Sequence, residues 1–166
     1  GHIQIDPFGD QCHCGNFGCL ETLVANKAIV SQTKALLERG HNSRLDKDNL
    51  SIDIICKAAL EDDPIATQII RQTGNHLGRV LAIMVNLFNP EKILLAGEIV
   101  QSAPVLFPAL LQQIQRQSLP NFNRELQLEK AHFQGQGTMG GYALIKRALH
   151  ANDLLQQIMQ QIDDKQ

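Results

Sequence analysis

The stretch Cys12-His13-Cys14-Gly15-Asn16-Phe17-Gly18-Cys19-Leu20-Glu21 places three cysteines close together, and His2 lies a short way upstream. Three thiolates and one imidazole form a soft four-donor set of the kind that tetrahedral zinc takes. Gly15 and Gly18 let the loop fold back, so that Cys19 can reach the point held by Cys12 and Cys14. The Cys-x-Cys spacing departs from the Cys-x-x-Cys of common zinc fingers, and spacing alone also allows free thiols in a reduced loop. Two disulfides are the other pattern open to four cysteines. A chain of this length has core enough without them, and a Cys-x-Cys bridge would be strained. His13 is an alternative ligand, yet a residue between two ligands points away from the ion that they hold. Cys56 sits alone among Ile52, Ile55 and Ala59 and reads as a core thiol. His41, His76, His132 and His150 have no evident partners.

Working outward, Gly1 to Phe8 alternates and reads as the end of a strand stopped by Asp6-Pro7. After the loop over 9–19 the period changes. Leu20, Leu23, Val24, Val30 and Leu37 recur at helical spacing, and Arg39-Gly40 is a stop. A polar connector over 41–50 leads to a short helix from Ser51 to Leu60. Asp62-Asp63-Pro64 then supplies a carboxylate cap with proline in the first turn. The helix predicted from Pro64 to Phe88 carries the stripe Ile65, Ile69, Thr73, Leu77, Val80, Leu81, Met84 and Phe88, and Asn89-Pro90 ends it. Gly74 and Gly78 share one of its faces and permit a close neighbour.

Ile93 to Gly97 reads as a strand buried on both faces. A helix follows from Ser102 to about Ser118, then a strand over 126–133. Gly135-Gln136-Gly137 reads as a turn, followed by a helix from Thr138 to near His150 and a Gln-rich helix over 152–162. The alternation argues for α/β layering in a single lobe: the loop, a helical part over 20–88, an α/β part over 91–150 and the last helix. The Gly74–Gly78 face and the stripe from Val105 to Ile114 offer more apolar surface than a small lobe needs, which points to self-association.

Composition excludes several classes. The 166 residues carry a formal charge of −2, which leaves no broad electrostatic footprint for a phosphate backbone. Aromatic residues make up 4% with no Trp, so stacking platforms for single strands are not expected. The longest apolar run, Val80 to Val85, is far short of a bilayer span, and no membrane insertion is expected. The chain opens on Gly1-His2 without Met, so its own N-terminus is expected to lie upstream.

The string Gly1-His2 followed by Cys12-His13-Cys14-Gly15-Asn16-Phe17-Gly18-Cys19-Leu20-Glu21 resembles the signature of the ROK family of repressors and sugar kinases. Gly1 to Pro7, Val85 to Pro90 and Ala96-Gly97-Glu98 are similar to its repressor branch, and the resemblance runs to about His150. It implies the C-terminal lobe of an actin-like, RNase H-like ATPase fold. It also implies a structural zinc on His2, Cys12, Cys14 and Cys19, and sugar hydroxyls bound by Glu21 and His2. One imidazole nitrogen would hold the metal while the other meets the sugar. Read without the resemblance, Glu21 is a first-turn carboxylate favoured by the helix dipole.

By the same resemblance the chain is the sugar-sensing effector lobe of a cytoplasmic, homo-oligomeric transcriptional repressor of amino-sugar uptake and catabolism genes. It would have no catalytic residue of its own. N-acetylglucosamine 6-phosphate is the expected inducer, and operator DNA is met through an N-terminal helix-turn-helix outside this chain. Three alternatives remain open: a sugar-kinase lobe, a repressor released by the cytoplasmic domain of a sugar transporter, and a zinc-stapled scaffold. Kinases of the family carry Gly-Gly where this chain has Gly97-Glu98, and the Glu98 charge argues against nucleotide phosphates there. Gly135, Gly137, Gly140 and Gly141 form a second Gly-rich stretch at a helix start, suited to anions and, more commonly, to tight packing.

Overall fold

The computed structural model describes residues 1–131 and 136–150. The chain divides into two compact units, Gly1–Ala131 and His132–Gln166. In the first, the cysteine loop leads into helices α1 (Glu21–Val24), α2 (Asn26–Glu38), α3 (Ile52–Leu60) and α4 (Pro64–Phe88). Strand β1 (Lys92–Leu95) and a 3-10 turn (Glu98–Ser102) follow, then α5 (Ala103–Gln117), α6 (Pro120–Asn123) and β2 (Gln127–Lys130). The described part of the second unit contains α7 (Gln136–His150). The helix expected over 152–162 lies outside the described residues, as does Gly135; Gln136 and Gly137 belong to α7 rather than to a turn.

The sequence signals for α3 and α4 act as expected. Ser51 caps α3, its hydroxyl accepting from Ile54 N–H at 3.3 Å. Asp63 caps α4, accepting from Ile65 N–H and Ala66 N–H at 3.1 and 3.0 Å. Its carboxylate also accepts from Ser43 Oγ and from the Arg44 N–H, which ties the 41–50 connector to the helix start. At the other end Asn89 takes a left-handed conformation, with φ 43°, and stops α4.

Three local expectations need correction. The helix expected from Leu20 to Leu37 is broken at Ala25, whose extended backbone (φ −66°, ψ 149°) separates α1 from α2. Gly1 to Phe8 forms no full strand; it contributes one antiparallel bridge, Gln4 to Cys19. β1 is not buried on both faces. It pairs in parallel with β2, Lys92 opposite Gln127 through Leu95 opposite Lys130. Ile93, Leu95 and Leu128 pack on the core cluster of Val85, Leu110 and Ile114. Leu94 faces the other way and is 59% exposed, because no layer of the first unit's described residues covers that face.

The main core joins Ile29 of α2, Ile52, Ile55, Cys56 and Ala59 of α3, Ile65, Ile69 and Ile70 of α4, and Leu106 of α5. Cys56 is fully buried there, as its apolar neighbours predict. The stripe of α4 is only partly used: Met84 and Phe88 are exposed, since the buried face turns through Val80, Ala82 and Val85. Gly74 and Gly78 receive α5. A Cβ on Gly74 would lie 2.9 Å from Leu106 O, and one on Gly78 would lie 2.7 Å from both Leu110 O and the Gln113 Cβ. The apolar surfaces read as spare for self-association are therefore largely spent on each other, with Leu106, Leu110 and Ile114 buried. No helix of the described residues is long and apolar enough to cross a membrane.

Two outcomes follow for stability. Gly78→Ala is expected to cost about 1–3 kcal/mol, because backbone and a Cβ block the new methyl; chemical denaturation measures it. Burial pushes the Asp63 carboxyl up, but the hydrogen bonds from Ala66, Arg44, Ser43 and Ile65 outweigh this and hold it below the usual carboxylate value. A depressed folded-state pKa contributes stability above the unfolded value of about 3.9, and this is lost as pH falls through the folded value. Asp63→Asn should therefore melt below the parent chain at pH 7, by about 2 kcal/mol. The gap should narrow in strongly acidic solution.

Candidate functional site

The cysteine loop is a double reversal of the chain. Gln11 bridges to Phe17, Cys12 N–H donates to Asn16 O at 2.7 Å, and Gly15 N–H donates to Cys12 O at 2.9 Å. This tight hairpin brings Cys12 and Cys14 to one end. The 1–6 segment then runs beside 18–21, with Ile5 N–H donating to Gly18 O at 2.9 Å and Leu20 N–H to Ile3 O at 2.8 Å. Glu21 N–H donates to Gly1 O at 3.0 Å, which sets His2 against both Cys19 and Glu21 in register. Gly18 is required at the crossing. Its φ is 61°, and a Cβ would stand 1.4 Å from Asp6 O.

Side chains so placed converge. One donor atom from each of His2, Cys12, Cys14 and Cys19 lies within 4.8 Å of all the others. Cys14 Sγ and Cys19 Sγ are 3.6 Å apart, and His2 Nδ1 is 3.6 Å from Cys12 Sγ. A zinc ion with bonds of about 2.3 Å to sulfur and about 2.0 Å to nitrogen has tetrahedral edges of about 3.8 Å (S to S) and about 3.6 Å (N to S). A disulfide would need about 2.05 Å, so the four cysteines are free thiols. The donor set and its edge lengths fit a tetrahedral metal such as zinc.

Electrostatics point the same way. The Asn16 backbone hydrogen bond, opposed by burial, helps hold Cys14 below its ordinary value of 9.0, with help from the neighbouring thiols. Cys19, fully buried, is pushed up to about 12 by burial and by the facing thiols of Cys14 and Cys12. With charge on Cys14 the Cys19 thiol resists ionising, because like charges at this distance repel. A dication held by these sulfurs would reverse that logic and favour the thiolates.

The His2 ring has a second face. With Nδ1 toward Cys12, its Nε2 lies 3.7 Å from Glu21 Oε2. His13, expected to point away from the ion that its neighbours would hold, keeps its Nδ1 3.8 Å from Cys12 Sγ and also turns onto the same carboxylate. Its Nδ1 lies 3.5 Å from Glu21 Oε1, and its ring meets that of His2 edge-on at 5.0 Å. The sequence reading did not foresee this meeting; the one available signal was a histidine flanked by cysteines. Asp10, Gln11, Cys12, His13, Glu21 and Thr22 line one side of an adjoining hollow of about 350 Å³. At the end of β1, Asn26 Nδ2 donates to Glu98 Oε2. Glu98 lines a separate hollow of about 410 Å³ with Ala96, Gly97 and Asn26.

The ROK family model matches residues 1–148. The chain belongs to the ROK family. It is 44% identical over 160 residues to the DNA-binding transcriptional dual regulator NagC of Escherichia coli K12, across 96% of this chain and 39% of NagC. The DNA-binding transcriptional repressor Mlc of the same strain is 42% identical over 160 residues, with the same 96% and 39% coverage. A solved ROK family transcriptional regulator, a homologue of the Escherichia coli MLC protein, is 49% identical with a TM-score of 0.87 over 93% of this chain and 39% of that one. A putative sugar kinase of Cytophaga hutchinsonii, a ROK hexokinase of Thermus thermophilus and a ROK family glucokinase of Streptomyces griseus share the fold at TM-scores of 0.64 to 0.75 and 22–24% identity. The α/β architecture is thus that of ROK repressors and kinases, the actin-like class, and similarity is greater to the regulators. The chain spans 39% of the length of NagC and Mlc.

Elemental analysis of the purified protein should find one zinc per chain. Cys14→Ser and Gly18→Ala should each lower that content, the first by removing a ligand and the second by blocking the crossing at Asp6. Chelation should lower the melting temperature of the parent chain and leave that of a metal-free Cys14→Ser variant unmoved.

Proposed function

We propose that residues 1–166 form the C-terminal effector lobe of a ROK transcriptional repressor of amino-sugar uptake and catabolism genes, and that the lobe senses a sugar phosphate, N-acetylglucosamine 6-phosphate. His2, Cys12, Cys14 and Cys19 hold a structural zinc. Glu21 and His2 meet the sugar. The observation that carries this reading is the two-faced His2 ring, 3.6 Å from Cys12 Sγ on one side and 3.7 Å from Glu21 Oε2 on the other. Metal binding on Nδ1 fixes the tautomer and aims Nε2 at the sugar side, so the zinc sets the geometry of recognition without touching the ligand. Greater similarity to NagC and Mlc than to kinases supports a regulator. Glu98, engaged by Asn26 beside Gly97, adds a negative charge where a nucleotide site would need none.

Sugar binding favours one arrangement of the effector lobe and its neighbours, and so biases an N-terminal operator-binding domain outside this chain. It does so only through unequal affinity for the two arrangements. The repressor works in the cytoplasm as a homo-oligomer. A second reading rests on the close similarity to Mlc as well as NagC: release by the cytoplasmic domain of a sugar transporter in place of a free sugar phosphate.

Calorimetric titration of the full-length repressor with N-acetylglucosamine 6-phosphate tests the first reading. Binding should weaken about a hundredfold in Glu21→Ala, the loss of two charge-assisted hydrogen bonds. Equal affinity in the two proteins removes Glu21 from the site. Binding to the transporter domain with no sugar-phosphate heat establishes the second reading.

A further inference from the structure

Glu21 is bracketed. Its Oε2 faces His2 Nε2 at 3.7 Å, and its Oε1 faces His13 Nδ1 at 3.5 Å. Both gaps exceed a good hydrogen bond, so neither pair is closed on itself. The three side chains form a compact triangle, with one polar atom from each within 4.8 Å of the others. Each edge from carboxylate to imidazole offers an acceptor and a nitrogen side by side.

A hydroxyl is both donor and acceptor. An oxygen seated over one edge can donate to the carboxylate and accept from the imidazole N–H, at about 2.8 Å from each. Two such edges share one carboxylate, which suits two polar substituents on adjacent ring carbons. His13 also has room beside it. It lines, with Glu21 and Thr22, the hollow of about 350 Å³, within the range of small-molecule sites. Its side chain is 70% exposed and supports no core. Its other near contact is Cys12 Sγ, at 3.8 Å from Nδ1.

We propose that His13 is a sugar-reading residue: with Glu21 and His2 it forms a two-edged clamp for neighbouring polar substituents of the sugar ring, one substituent over each carboxylate–imidazole edge. The proposal rests on the sugar-sensing reading above and assigns it a further residue. His2 is held by the metal and gives the fixed edge. His13 is free of the metal and gives the edge that discriminates. A sugar lacking a hydroxyl at the His13 edge leaves donor and acceptor unmatched, and a substituent that only donates satisfies half of it.

The test uses the full-length repressor and calorimetry with N-acetylglucosamine 6-phosphate and its 1-, 3- and 4-deoxy analogues. His13→Ala should weaken binding of the parent sugar about tenfold, the loss of one hydrogen bond. His13→Gln, which keeps an N–H donor, should recover most of it. Zinc content should remain at the parent level in both variants. One deoxy analogue should bind the parent protein about tenfold more weakly and lose nothing further in His13→Ala. Parent-like affinity in His13→Ala beside weakened binding in Glu21→Ala overturns the proposal and leaves the sugar-sensing reading standing. Loss of zinc in His13→Ala also overturns it, since the residue would then act through the metal. Absence of sugar-phosphate binding in every protein, the parent included, removes both.

Discussion

One donor atom from each of His2, Cys12, Cys14 and Cys19 lies within 4.8 Å of the others, a crowding that a shared cation would stabilise. Three thiols at that distance repel once ionised and offer one another only weak hydrogen bonds when neutral. The 9–19 loop has little apolar burial beyond Cys12, Cys19 and their immediate surroundings, so packing alone holds it weakly. A cation at the centre would turn this crowding into a rigid point. The first residues of the chain are laid beside 18–21 by backbone hydrogen bonds, which bring His2 to the cluster, and Glu21 follows directly from Cys19 and Leu20 into α1.

The helical body supplies the counterpart. α4 is clamped between the Asp63 cap and the Asn89 stop, and two glycines on one face let α5 lie against it at backbone distance. β1 and β2 are joined across this pair, with Lys92 Nζ and Glu129 Oε1 at 2.8 Å tying neighbouring strands. The 3-10 turn after β1 is gripped from the helical side by Asn26 of α2 and by Asp53 of α3, which accepts from Gln101 Nε2 at 2.7 Å. The break at Ala25 matters here. It ends α1 soon after Glu21 and restarts the chain as α2 with Asn26 beside Glu98. The donor cluster and the sheet end are thereby linked through a few residues.

Donor atoms are divided between two tasks. The sulfurs and His2 Nδ1 lie around one point, while His2 Nε2 and His13 Nδ1 face the Glu21 carboxylate, and His13 and Glu21 line the hollow. A metal bound on the inner side would leave the outer side free for hydroxyls, so the proposed structural ion and the proposed sugar site need not compete. His2 reaches both with different ring nitrogens, Nδ1 toward Cys12 and Nε2 toward Glu21.

Much of the fold was legible in the residues. Caps, stops and helical spacing act over a few residues, so Ser51, Asp63-Pro64 and Asn89-Pro90 set the bounds of α3 and α4 by local hydrogen bonding and backbone preference. The donor set was legible too, because its chemistry is carried by residue type and short spacing. Tertiary structure alone decided what depends on segments meeting from afar. The face of α4 that is buried follows from where α5 lands, which is why Met84 and Phe88 are exposed and Gly74 and Gly78 are not spare. Leu94 is exposed because the two strands pack one face on α4 and α5 and, among the described residues of the first unit, leave the other open. His13 meets Glu21 because the 11–17 hairpin folds back on itself and Gly18 N–H donates to Asp10 O, which brings residues 12–14 toward 19–21. Spacing along a chain says which residues are near in sequence; the direction in which a side chain turns is settled by the backbone that crosses over it.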